Sequence, residues 1–189
     1  LIVTGSRRQL MSQMYNSPSK PFNQSVITTY LKTKEKKIYT DFACRLFKEY
    51  GKAISKALVE QIYDDYEGVT WYTQMLLNEL FALTEKGGTC NAEYYSIAKR
   101  NVIQTQESSY KDTLANISAK QKPVLFAIAK EGKAINMTSA KFLKDNGLSS
   151  SSSVQSALKG LLEKDIITRT ENGYRVYDYF FAEWLIWNY

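Results

Sequence analysis

The sequence predicts a mainly α-helical protein, a helical bundle followed by a winged helix–turn–helix, and three observations carry that prediction. Helix-period apolar patterning dominates from Ile38 onward. The joints between those periodic stretches are marked by glycine, at Gly51, Gly68 and Gly87-Gly88. The last third places three apolar-faced helical stretches ahead of a hairpin signal, Asn172-Gly173. The chain has 189 residues, 44% hydrophobic and 23% charged, which is an ordinary globular composition and enough for one large domain or two small ones.

Taken in order, Leu1-Ile2-Val3-Thr4 is a short β-branched run halted by Gly5-Ser6. It reads as a buried strand, and a buried strand needs neighbours for its backbone hydrogen bonds. The expectation is that it belongs to a larger parallel α/β sheet whose other strands lie outside this sequence; the alternative is an edge strand pairing with the later hairpin. Residues 7–15 then read as a helix with Leu10, Met11 and Met14 on one face. A loop holding Pro18 and Pro21 follows, then an extended run over residues 25–31. The charged connector at residues 32–37 places a domain boundary after residue 31.

Residues 32–117 read as a helical block. A first helix over residues 39–50 presents Phe42, Leu46, Phe47 and Tyr50. Ser55 caps a second, with Leu58, Ile62 and Tyr66 on its face. Thr70 opens a third through Trp71, Met75, Leu76, Leu80 and Leu83, and a fourth long helix is predicted from Asn91 towards Ile117.

Residues 118–189 are the most explicit part. Residues 120–130 predict a helix with Val124, Leu125, Ile128 and Ala129 inward. Thr138 is predicted to cap a short second helix containing Ala140, Phe142 and Leu143, closed by the left-handed turn at Asn146-Gly147. The serine run at residues 149–153 offers N-caps to a third helix with Val154, Ala157, Leu158, Leu161 and Leu162 inward. Strands at residues 166–169 and 174–177 flank the hairpin signal. Phe180, Phe181, Trp184 and Leu185 predict a C-terminal helix docked back on the protein, since four large apolar groups on one short segment do not stay in water.

Composition narrows the chemistry. The chain has no histidine, which removes the commonest general base and metal ligand, so no metal site is expected. Cys44 and Cys90 have no metal-like spacing; they read as one disulfide or, preferably, as free thiols in a reducing cytoplasm. No apolar stretch approaches the length a bilayer requires, so no membrane association is expected. The excess of basic groups lies at the two ends, with residues 31–117 balanced at twelve against twelve and residues 118–178 holding ten basic and six acidic groups.

Four islands of sequence resemble the archaeal-type P-loop ATPase family, STAND-class relatives of the AAA+ enzymes, in its bacterial branch. They are Thr4-Gly5-Ser6 with Leu10-Met11, Ser17-Pro18 and Pro21-Phe22; Gly68 with Thr70-Trp71-Tyr72; Ser149 to Leu162; and Tyr174 to Phe181. The resemblance covers nearly the whole chain. It implies residues 1–31 as the end of a P-loop α/β core, residues 32–117 as a helical lid and residues 118–189 as a winged helix. On it, Ser6 corresponds to the sensor at a strand tip near the γ-phosphate. Arg7 stands where relatives carry a phosphate-binding arginine, or else is an exposed helix-start residue. Gly68, Thr70 and Tyr72 correspond to the lid turn that packs on adenine, although Glu67 and Thr70 replace that turn's glycine and proline; for Trp71 and Tyr72, core packing is the stronger alternative.

No G-x-x-x-x-G-K-[ST] run occurs in the sequence, and no acidic residue follows an apolar strand as a magnesium-holding carboxylate would. The resemblance implies that the intact protein binds ATP or ADP with magnesium; lacking those motifs, this segment by itself is expected to bind no cofactor and to be inactive. The leading functional expectation is a nucleotide-dependent switch with the winged helix as a regulatory or interaction module. It would contact a protein partner or support a homo-oligomer of the intact protein. The alternative is a transcriptional regulator reading double-stranded DNA through Ser152, Ser153, Gln155, Lys159, Arg169 and Arg175. A third is a purely structural interaction module.

Overall fold

A computed structural model of the chain describes residues 32–189, together with Gly5, Met14, Tyr15, Ile27 and Thr29. The chain divides into two compact units, Leu1–Thr33 and Lys34–Tyr189. In the first, Met14 and Tyr15 are helical; the strand expected at residues 1–4 and the sensor residues Ser6 and Arg7 lie outside the described residues.

Helix α1 (Lys36–Glu49) buries Tyr39, Thr40, Ala43 and Phe47, a stripe at three- and fourfold spacing. Of the expected face, Phe47 is buried and Leu46 half-buried, but the rest points away. Phe42 and Tyr50 lie in solvent at 44% and 63% exposure, with Arg45 placed over the Phe42 ring at 5.5 Å. What decides the face is the packing partner. Cys44 reaches the Ile54 carbonyl and Tyr39 meets Tyr63, so the buried stripe follows the elements α1 packs on and not the largest side chains. The chain then turns at Gly51, whose φ is +70°, into strand β1 (Ala53–Ile54).

Ser55 caps helix α2 (Lys56–Asp65) by accepting from the Leu58 N–H at 3.2 Å. Helix α3 (Thr70–Leu83) buries Leu76, Leu77 and Leu80. Strand β2 (Thr89–Cys90) pairs in parallel with β1, Ala53 opposite Thr89 and Ile54 opposite Cys90. Two residues per strand carry no readable alternation, so this small sheet has no sequence signature. Asn91 caps helix α4 (Ala92–Thr105) through the Tyr94 N–H at 3.0 Å. The single helix expected over residues 91–117 is in fact two, broken at Gln106, with helix α5 (Glu107–Ala115) after the break. The break redirects α5 so that Tyr110 packs on Phe181 and Trp184, with ring centroids 5.2 and 5.8 Å away.

Helix α6 (Lys122–Glu131) buries Val124, Leu125, Ala127, Ile128 and Ala129. Strand β3 (Ala134–Ile135) follows, then helix α7 (Ala140–Asp145), capped by Ser139 through the Phe142 N–H instead of by Thr138. Gly147, at φ +61°, turns the chain towards helix α8 (Ser151–Glu163), capped by Ser150 through the Ser153 N–H at 3.2 Å. Val154, Ala157, Leu158 and Leu161 are buried as predicted, while Leu162 is half-buried. Strands β4 (Ile167–Arg169) and β5 (Gly173–Val176) complete an antiparallel sheet in the order β3-β5-β4. Three helices and this sheet form the winged helix.

The hairpin tip differs from expectation. Arg169 pairs with Tyr174 and the Thr170 N–H donates to the Gly173 carbonyl at 2.9 Å, so the turn residues are Glu171 and Asn172. Neither Asn172 nor Gly173 has positive φ. Gly173 is needed for another reason: β3 runs beside it, and a Cβ there would lie 2.0 Å from the Ala134 carbonyl oxygen. Gly173→Ala is accordingly expected to cost about 1–3 kcal/mol by forcing β3 away from β5, measured by denaturant unfolding. An unchanged midpoint would contradict this packing.

Helix α9 (Tyr179–Asn188) closes the unit. Asp178 caps it, accepting from the Phe180 and Phe181 N–H groups at 2.9 and 3.2 Å, and Phe180, Phe181, Trp184 and Leu185 are buried as the pattern predicts. Helix α9 packs against α4, α5, α6 and β5, joining the helical block to the winged helix.

Candidate functional site

The residues on which the helical block and the winged helix meet form the most densely connected site. At its centre is Tyr66, fully buried at the end of α2. Its ring stacks on Tyr72 at 5.6 Å and meets the edges of Tyr179 and Phe180 at 5.7 and 5.3 Å. Its hydroxyl donates to Glu183 Oε1 at 2.7 Å, and Lys99 holds the other oxygen of Glu183 at 3.1 Å. Lys99 also lies over the Tyr95 ring at 4.9 Å, and the Tyr95 hydroxyl donates to Asp65 at 2.6 Å. Burial, followed by the Glu183 charge, pushes the Tyr66 hydroxyl far above its ordinary range, so it remains a donor at every physiological pH.

A second strand of contacts starts at the turn before α3. Glu67 has φ +51°, an uncommon conformation for a side chain of its size, and forms an ion pair with Lys133 in the α6–β3 turn. The hydrogen bond from Lys133 holds the Glu67 carboxyl below its usual range. The Tyr72 hydroxyl reaches Asp178 Oδ1 at 3.4 Å.

Asp178 is held above the usual carboxylate range, because desolvation by burial outweighs the Phe181 and Phe180 N–H groups and Tyr72 that favour its anion. The sign follows. An acid whose folded pKa is raised contributes stability when neutral, and that contribution is lost as pH rises through the ordinary range towards the raised value. Asp178→Asn keeps a capping oxygen and removes the ionisation, so the variant is expected to lose less stability than the parent on going from pH 4 to pH 7. Parallel pH profiles would contradict this assignment.

The residues predicted to carry function are distributed unevenly around this junction. Gly68, at φ +69°, passes so close to Tyr63 that a Cβ would overlap its ring. Thr70 is exposed at the first position of α3. Tyr72 has its ring among Tyr66, Trp71, Tyr179 and Phe180, an environment of protein aromatics. On the winged helix, Ser152, Gln155 and Lys159 are exposed on α8 and Ser153 is half-buried beside its cap. Arg169 is exposed at the end of β4. Arg175 is turned back, its guanidinium 4.3 Å from the Tyr179 ring centroid and donating to the Val176 carbonyl at 3.3 Å. Lid-turn and α8 residues are therefore not brought together. The junction residues that sequence reasoning missed are Tyr66's partner Glu183, Lys99 and Asp178. Glu183 carried a usable signal, as the single charge in an otherwise apolar C-terminal segment.

Among the described residues no group of His, Cys, Asp and Glu is arranged to hold a metal, and no helix is long and apolar enough to cross a membrane. Cys44 and Cys90 are free thiols.

Comparison with known proteins agrees with this architecture. The family described as "Probable winged helix domain" matches residues 108–187, from α5 to the end of α9. Among solved structures, the Walker-type ATPase of Pyrococcus abyssi is similar over 90% of this chain with a TM-score of 0.61 at 14% identity. The chain spans 47% of that structure's length. No curated protein matches the sequence.

Proposed function

We propose that this chain is the regulatory portion of a P-loop ATPase, a nucleotide-dependent switch in which residues 34–189 move as one body and the winged helix presents a contact surface to a protein partner. The observation that supports this reading most is the extent of the likeness: the match to a Walker-type ATPase takes in 90% of the chain at once. The junction agrees with it. Glu67 in the lid-like turn is paired with Lys133 of the winged helix, and Tyr72 next to that turn contacts the cap of α9. A displacement of the turn is thereby felt by the winged helix without any loose linker between them. ATP and magnesium would be held by a P-loop that this sequence does not contain. Within the chain, Thr70 and the half-exposed Trp71 at the start of α3 offer more to a base than Tyr72, whose ring is packed among other aromatics.

The test is hydrogen exchange on the natural polypeptide that includes the P-loop, with ADP and with a non-hydrolysable ATP analogue. Protection that changes in the turn at residues 67–72 and in α9 together supports the switch; exchange in both that ignores nucleotide contradicts it. The 189-residue chain alone is expected to show no turnover of ATP above background.

The DNA-reading alternative is favoured by the exposed α8 face with Ser152, Gln155 and Lys159, and by Arg169. It is weakened by Arg175, which is engaged with Tyr179. A gel shift at two salt concentrations separates the two readings. A Lys159→Glu variant that binds duplex as the parent does supports the protein-contact reading, and a salt-sensitive loss favours DNA.

A further inference from the structure

Helix α2 ends in a turn that its own sequence does not favour. Glu67 follows the cap residue Tyr66 at φ +51°, and Gly68 follows at φ +69°. The Glu67 N–H donates to the Asp64 carbonyl at 3.1 Å and the Gly68 N–H to the Tyr63 carbonyl at 2.8 Å. This helix end closes with a left-handed residue just past the cap, a place that glycine fills without strain and a Cβ disfavours. Gly68 meets that rule. A Cβ there would lie 2.4 Å from the Tyr63 ring, which is itself held by its hydroxyl donating to the Lys34 carbonyl. Glu67 breaks it. What offsets the strain lies in the winged helix, where Lys133 pairs with the Glu67 carboxylate and Arg175 adds positive charge at longer range. Both cations are anchored in the sheet. Lys133 runs directly into β3, where Ala134 is 1% exposed opposite Tyr174, and Arg175 belongs to β5. Glu67, Lys133 and Arg175 line one cleft of ≈ 470 Å³.

We infer that Glu67 is a positioning residue, through which the sheet of the winged helix fixes the turn at residues 67–72 and so sets the base-facing start of α3. The path is short. The Val69 N–H donates to the Tyr66 carbonyl at 2.9 Å and the Thr73 N–H to the Val69 carbonyl at 3.3 Å, so a change at Glu67 reaches Thr70 and Trp71 within one turn. Magnitude decides what the pair can do. Its side chains are 64% and 42% exposed, and such a pair stabilises only weakly. A left-handed glutamate is disfavoured by a similarly small amount. The turn is therefore poised, and loss of the pair loosens it without unfolding the chain. The role towards a base rests on the ATPase reading; the coupling of turn to sheet does not.

The experiment is amide hydrogen exchange of the 189-residue chain, read at Glu67, Gly68 and Val69. Lys133→Ala is expected to lower the protection of these three amides by about two- to fivefold and to leave the buried amides of α8 unchanged. Lys133→Arg keeps the charge and is expected to stay with the parent. Glu67→Gly removes the strain together with the pair, so it is expected to melt above Glu67→Ala, and adding Lys133→Ala to it is expected to change nothing further. Turn amides that ignore Lys133→Ala, that fall equally in the Glu67→Gly background, or that fall together with α8 would overturn the coupling. The role towards a base is read by ADP titration of the natural polypeptide that includes the P-loop, in which Lys133→Ala is expected to weaken binding by about twofold or more. ADP that binds parent and variant equally would overturn that role. ADP that binds neither would overturn the ATPase reading and leave the coupling standing.

Discussion

Truncating Tyr66 to alanine is expected to lower the stability of the chain by about 3–5 kcal/mol, the range for deleting a fully buried aromatic ring. Tyr66 is 0% exposed, and its ring is in contact with Tyr72, Tyr179 and Phe180. Removing it opens a cavity in the middle of the junction and takes the donor from Glu183, which would keep only Lys99. Tyr66→Phe separates the two contributions. It retains the ring and deletes the hydroxyl, so about 1.5–3 kcal/mol is expected, the cost of one hydrogen bond to a charged acceptor. Chemical denaturation of the two variants beside the parent checks both values. A Tyr66→Ala variant within 1 kcal/mol of the parent would mean that the junction is not packed as described.

The second large effect belongs to the winged helix. Leu158 is 6% exposed on the inner face of α8, and Leu158→Ala is expected to cost about 2–5 kcal/mol. The adjacent residue provides the contrast. Lys159 is exposed one position along, and Lys159→Glu is expected to stay within about 0.5 kcal/mol of the parent. The pair tests the helical phase of α8 directly, because a rotation of the helix by one residue would exchange the two outcomes. Thermal melts of both variants under one set of conditions decide it.

These contrasts show which features a sequence can declare. The phase of α8 was legible because Val154, Ala157, Leu158 and Leu161 repeat at helical spacing with polar residues between them. Helix α9 was legible because four large apolar residues in one short segment have nowhere else to go. The winged-helix order of elements was legible for the same reasons. The buried face of α1 was legible only at Phe47, since the expected stripe of Phe42, Leu46, Phe47 and Tyr50 looks more apolar than the Tyr39, Thr40, Ala43 and Phe47 stripe that is buried. Only the position of α2 and β1 chooses between them. The break at Gln106 carries no glycine or proline to announce it, although it sets Tyr110 against α9. Gly173 looked like a turn residue from its neighbour Asn172, but its smallness serves the approach of a strand, β3, that is two residues long and has no pattern of its own. The junction was hidden for a related reason. Tyr66 and Glu183 are separated by 117 positions, and nothing local announces that they share a hydrogen bond.

If the helical block and the winged helix are one body, their stability must be shared. The direct measurement is native-state hydrogen exchange of the 189-residue chain across low concentrations of denaturant, following amides in α2 and α3 on one side and in α6, α8 and α9 on the other. The slowest amides of both sets are expected to converge on one opening free energy with one denaturant slope. Tyr66→Ala should lower both sets together. A winged helix that opens at a distinctly lower free energy while α2 and α3 stay protected would contradict it, and would show two independent parts where this structure places one.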